Sequence, residues 1–190
     1  SLTGVDLTPR AIEHTSDRLA AFGVKSQLQT ADAEQLPFED DSFDLVYSWG
    51  VLHHTPRTQI AIQEVHRVLR PGGVARIMIY HYWSITGYML WARYGLLARR
   101  PCRSLRDIYH HHLESPGTKA YTVSQAKDMC RMFSAINVKT QIGFADLLQG
   151  QVGQRHGGLL LSTARALWPR PLIRTLFARH GLLLLIDVTK

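Results

Sequence analysis

The sequence is poor in cysteine, in long apolar runs and, over its second half, in acid. Only Cys102 and Cys130 occur in 190 residues. One bridge would add little to a core of this size, so a secreted disulfide scaffold is excluded and a reducing cytoplasm is expected. The most apolar stretches, residues 88–97 and 182–186, fall well short of the roughly 20 residues that span a bilayer. Through Ala75 there are ten acidic against six basic residues, and from Arg76 onward five against sixteen. That basic surplus is scattered as single arginines, with only Arg99-Arg100 adjacent, and no aromatic residues interleave with it in a stacking pattern. It therefore reads as a solvated surface and not as a nucleic-acid site. The overall balance, 45% hydrophobic and 19% charged, suits one globular domain.

What is present alternates between strands and helices. Residues 2–7 form a short apolar run; Thr8-Pro9 then supplies a helix N-cap and first helical residue, and Gly23 a left-handed C-terminal cap. Ile12, Thr15, Leu19 and Phe22 share one face of that helix. Strands are expected at 26–30, 43–48 and 74–80, with a helix marked by Ile62, Val65 and Leu69 that Pro71-Gly72-Gly73 breaks. Residues 84–99 are apolar and aromatic, 122–133 follow a Thr N-cap at helical spacing, and 136–142 and 182–188 read as the last strands. The stretch 143–181 between these two strands is an insertion with helices at 159–168 and 172–180. The pattern predicts a Rossmann-like, doubly wound α/β fold with a mostly parallel sheet and helices on both faces.

Ligands of such sheets bind at the carboxyl ends of the strands. Asp6 and Asp32 fall at two of those ends and Ser48 at a third. A strand-end aspartate is also a common helix cap, and the residues alone leave both roles open. The order of the blocks goes further: Gly4-Val5-Asp6-Leu7-Thr8-Pro9, Ala31-Asp32-Ala33-Glu34-Gln35-Leu36-Pro37-Phe38, Phe43-Asp44-Leu45-Val46, Val51-Leu52-His53-His54, and Glu64-Val65-His66-Arg67-Val68-Leu69-Arg70-Pro71-Gly72-Gly73. In this order they resemble the class I S-adenosylmethionine-dependent methyltransferases, most closely the ubiquinone and menaquinone biosynthesis branch. The resemblance covers residues 2–80 and implies S-adenosyl-L-methionine as cofactor. It places Asp6 on the ribose hydroxyls, Leu7 beside the adenine, Asp32 on the adenine amino group, Ala33 against the ring, and Ser48, Trp49 and Gly50 along the methionine end.

One departure stands out. The family's first strand and Gly-rich loop have no counterpart in the 190 residues. The chain reads as a single methyltransferase domain, partial at its N-terminus, with residues 1–80 on the cofactor side and 81–190 on the acceptor side. In the family the missing strand lies between those of Asp6 and Ser48, so a split or rearranged sheet and poor solubility are expected. His53 and His54 are candidates for a general base, or else one caps a helix and the other is solvated. Tyr80, His81 and Trp83 form an acceptor pocket or simply cover the sheet. Residues 85–97 are a lid, an interfacial helix at an anionic inner membrane face, or ordinary packing. No metal is expected: His110-His111-His112 point about 100° apart on a helix, with no Cys or carboxylate at ligand spacing. The implied reaction is methyl transfer to a small-molecule acceptor of lipophilic or aromatic character. The alternatives are a degenerate binding module of the same fold and a nicotinamide-dependent Rossmann enzyme.

Overall fold

The computed structural model describes residues 2–149 and 159–190. Strand β1 (Thr3–Asp6) leads into α1 (Pro9–Ala21), where Thr8 Oγ1 accepts a hydrogen bond from the Ala11 amide at 3.3 Å. Gly23 follows at φ +66°, the left-handed conformation that ends a helix. Strand β2 (Gln27–Thr30) runs parallel to β1 with Asp6 opposite Thr30. No residue of α1 is buried, and Phe22 is 82% exposed. The apolar stripe that the spacing predicts is therefore present but uncovered.

Strand β3 (Phe43–Trp49), a 3₁₀ turn (Leu52–His54), α2 (Thr58–Val68) and β4 (Leu69–Tyr80) come next. Pro71-Gly72-Gly73 does not separate helix from strand. The ladder pairs Phe43 with Leu69 and resumes at Leu45 with Val74, so residues 70–73 bulge within β4, Gly72 at φ +79°. Helix α3 (Ile85–Trp91) runs on into a π-helical turn (Ala92–Leu96), followed by α4 (Leu105–His112) and α5 (Val123–Met129), the last opened by a Thr122–Gln125 capping box. Between β5 (Ala135–Gln141) and β6 (Leu183–Thr189) lie α6 (Leu159–Leu167), α7 (Arg170–Leu176) and a 3₁₀ turn (Ala178–His180). The insertion expected over 143–181 is thus helical in its second half; its residues 150–158 lie outside the described residues.

The architecture is the Rossmann-like α/β one, with one correction of detail. The larger sheet, ordered β3-β4-β6-β5, is mixed and not mostly parallel: β3 and β4 are parallel, while β6 inserts antiparallel between β4 and β5. The β1–β2 pair forms a sheet of its own. This division is the split arrangement that the sequence leads one to expect. Ala75, Ile77 and Ile79 of β4 and Leu184, Ile186 and Val188 of β6 alternate inward, and Ile62 and Val65 of α2 with Ala126 of α5 cover them.

Polar contacts fasten the segment after β2 to α2. The Leu36 amide donates to Glu64 Oε2 at 2.8 Å, and Arg67 donates to Glu64, to the Leu36 and Phe38 carbonyls and to Asp40. Arg57 Nε donates to Glu34 at 2.8 Å. These bonds hold the Glu34 and Glu64 carboxyls below the usual carboxylate range, the Arg57 amide being the main cause for Glu34 and the Arg67 guanidinium for Glu64.

Candidate functional site

The expected cofactor residues fall at the ends of three strands, β1, β2 and β3. Asp6 closes β1, and its Oδ1 accepts from the Thr8 amide at 2.9 Å and the Thr8 hydroxyl at 3.0 Å. Asp32, exposed and two residues beyond β2, accepts from the Glu34 amide at 2.8 Å. Each aspartate thus shapes its own turn while standing at the carboxyl edge of a parallel pair, where ligands bind. Leu7 is exposed, and Ala33 leans on the core.

Ser48, Trp49 and Gly50 stay together at the end of β3, on the other sheet. Strand alternation sends Ser48 inward, where its buried hydroxyl has no hydrogen-bond partner, and Trp49 outward, stacked against Tyr47 at 6.1 Å. Gly50 adopts φ +75°, open to glycine at no cost, and a Cβ there would sit 3.4 Å from Met78 Cε. Two carboxylates, an unpartnered buried hydroxyl and a glycine turn are donor and acceptor types that fit the ribose, amine and amino-acid groups of S-adenosylmethionine.

His53 and His54 share the 3₁₀ turn after β3. The His53 ring is fully buried between His54 and Tyr80, 4.1 Å from each centroid, and neither of its nitrogens has a partner. Burial pulls its pKa down to about 3. A general base needs an accessible nitrogen with a pKa near neutrality, and His53 has neither. His54 is held on both sides: Nδ1 lies 3.3 Å from Ser115 Oγ and 3.4 Å from Thr118 Oγ1, and Nε2 lies 3.4 Å from Glu114 Oε2. Tyr80 donates its hydroxyl to the same Glu114 oxygen at 2.9 Å. The His54 contact, foremost, draws the Glu114 carboxyl down to about 2, and burial pushes the Tyr80 phenol up.

The three residues expected in an acceptor pocket diverge. Tyr80 turns to His53 and Glu114. His81 is buried with Nδ1 3.1 Å from the Gly181 carbonyl, and Trp83 lies half-exposed, edge-on to Tyr82. Residues 85–97 follow the packing alternative along α3: Leu90 joins Ile108 and Tyr109 in a second core, and Trp91 Nε1 donates to the Arg103 carbonyl at 3.2 Å. Among His110–His112, His111 pairs with Asp107 at 3.1 Å and His112 meets Arg103 at 3.0 Å, so the tract does not converge on one point. Sequence reasoning missed Glu114 and Asp146. Glu114 lies sixty-odd residues from the histidines it meets, with no local spacing to mark it.

Residues 1–77 match the family described as Methyltransferase domain. The probable phthiotriol/phenolphthiotriol dimycocerosates methyltransferase 2 of Mycobacterium ulcerans is 44% identical over 73 residues, 38% of this chain and 28% of the relative. The ubiquinone/menaquinone biosynthesis C-methyltransferase of Geotalea daltonii is 34% identical over 85 residues, 43% of this chain and 35% of that one. The chain thus spans about a third of the length of such relatives or less. Across the whole chain the methyltransferase fold recurs in a Thermotoga maritima structure described as a possible histamine N-methyltransferase. That likeness has a TM-score of 0.62 at 18% identity and covers 98% of this chain and 72% of that one. The Bacillus subtilis YcgJ protein matches with a TM-score of 0.58 at 19% identity, over 99% and 81%.

Proposed function

We propose that the chain carries the cofactor-binding half of a methyltransferase that moves the methyl group of S-adenosyl-L-methionine to a small, lipophilic or aromatic acceptor. One observation carries the reading: Asp6 and Asp32 stand at the carboxyl edge of a parallel strand pair, in the sequence blocks that match the methyltransferase domain family. Asp6 holds the ribose hydroxyls and Leu7 flanks the adenine. Asp32 accepts from the adenine amine beside the Ala33 amide, and Ser48, Trp49 and Gly50 line the methionine end. The cofactor when bound supplies an electrophilic sulfonium methyl, so the protein's part is to orient the acceptor and exclude water. Trp83 stays on the acceptor side in this reading. His53 and His54 are assigned no proton transfer, for the burial and hydrogen-bonding reasons above. The relatives include proteins named for phthiotriol dimycocerosates and for ubiquinone/menaquinone biosynthesis, which supports a lipophilic acceptor. No helix of the described residues is long and apolar enough to cross a membrane. A cytoplasmic protein peripheral to the inner membrane face fits that acceptor class.

Ser48→Ala tests the assignment. The hydroxyl is buried without a partner, so removing it should leave the unliganded protein as stable as before, or more so, while weakening S-adenosylmethionine binding by about 1 kcal/mol, one hydrogen bond. Unchanged affinity would remove Ser48 from the site.

A further inference from the structure

We infer that His53, His54 and Glu114 form a binding site for one divalent transition-metal ion of the zinc class. The inference goes beyond methyl transfer and does not depend on it. One ligand atom from each of these residues lies within 4.8 Å of the other two. Ligands at roughly 2.0–2.2 Å from a tetrahedral ion stand about 3.4 Å apart. His54 Nε2 and Glu114 Oε2 already have that separation, 3.4 Å, which is long for a hydrogen bond between them. The His53 nitrogen lies within 4.8 Å of both, so closing in on an ion is a side-chain adjustment.

The second observation is independent of that spacing. His53 is fully buried, and neither of its ring nitrogens meets a hydrogen-bond partner, so a lone pair is left in the interior with nothing to accept. Unpaired buried polar atoms are rare in folded proteins, and a bound ion accounts for this one.

For His54 and Glu114 the surroundings have the form metal ligands usually take, in which a ligand's remaining polar atoms are fixed from outside. The Ser115 and Thr118 hydroxyls face His54 Nδ1, leaving Nε2 for the ion, and the Tyr80 hydroxyl donates to Glu114. Lys119, the nearby cation, donates its ammonium to the Thr55 carbonyl. Glu114 reaches solvent, its side chain 56% exposed, so the site is open to an ion from outside. Two imidazoles and one carboxylate select zinc, cobalt or nickel over magnesium or calcium, which take oxygen ligands. Consecutive histidines diverge along an α-helix, as His110–His112 do, but His53 and His54 sit on a 3₁₀ turn, and the fold supplies the distant carboxylate.

The test is titration of the chelator-treated 190-residue protein with Zn²⁺ by calorimetry and with Co²⁺ by visible absorption. One ion per chain is expected, with the intense d–d bands of tetrahedral Co²⁺. Glu114→Gln and His54→Gln should each weaken binding at least tenfold, and replacing His110, His111 and His112 together by Asn should leave it unchanged. With circular dichroism confirming the fold of each variant, either ligand variant suffices should the other not fold. Absence of stoichiometric binding would overturn the site. So would binding that survives both ligand variants, or that disappears with the His110–His112 changes.

Discussion

Asp146 is a fully buried carboxylate surrounded by donors. Its Oδ1 takes the Thr86 amide at 3.1 Å and the Thr86 hydroxyl at 2.7 Å, and its Oδ2 takes the Gly143 amide at 2.9 Å and the Leu182 amide at 2.8 Å. One side chain thus ties the start of α3, the end of β5 and the entry to β6. Replacing it by Ala orphans several buried donors together, and unfolding in urea should show a loss of about 3 kcal/mol, the scale of a charged hydrogen bond removed from the interior. Asp146→Asn keeps acceptor capacity at one position and should recover part of the loss. No sequence signal marks this residue. Its neighbours Gly143-Phe144-Ala145 suggest only a turn, and the donors it serves come from three places in the chain. Asp6 was legible for the opposite reason: strand end, Thr-Pro helix start and block order all lie within a few residues of it.

Among the elements, the methyltransferase blocks turn out to be mechanically linked. The segment after β2 hangs on α2 through Glu64 and Arg67, which explains why two blocks some thirty residues apart carry recognisable side chains. Because the folded protein holds the Glu64 carboxyl below its ordinary value of 4.5, the unfolded chain binds protons more readily. The stabilisation is therefore complete above about pH 4.5 and is lost as the pH falls through the depressed folded-state value. Glu64→Gln should flatten that acid limb of a stability–pH curve and cost about 1–2 kcal/mol at pH 7; an unaltered acid limb would mean that other carboxylates set it. Elsewhere, α3 and α4 approach closely at Gly87, where a Cβ would lie 1.8 Å from the Tyr109 hydroxyl oxygen. Gly87→Ala should lower stability by about 3 kcal/mol through overpacking, read as a drop in melting temperature. The apolar, aromatic composition of 84–99 marked the stretch that forms α3. It said nothing of α4 packing beside it, because that contact is set by tertiary geometry.

At the scale of the molecule, the divided sheet governs behaviour. Its existence was readable from what the sequence lacks, whereas the antiparallel placement of β6 was not, since an apolar run of that length fits either direction equally well. Leu45, Tyr47 and Trp49 along β3 and Leu7 beyond β1 are all about half exposed or more. An apolar strand of this kind left uncovered favours association. The 190-residue chain should therefore self-associate at concentrations where small domains stay monomeric, as analytical ultracentrifugation can show; a clean monomer would mean that these strands are shielded in solution. If Asp6 and Asp32 build a nucleotide site, calorimetric titration of S-adenosylmethionine into the soluble chain should show saturable one-to-one binding, weaker than micromolar because the sheet is divided. Asp6→Ala should lose a further roughly 1.5–3 kcal/mol of binding with the fold intact. Absence of saturable binding, or equal affinity in the wild-type chain and Asp6→Ala, would contradict that assignment.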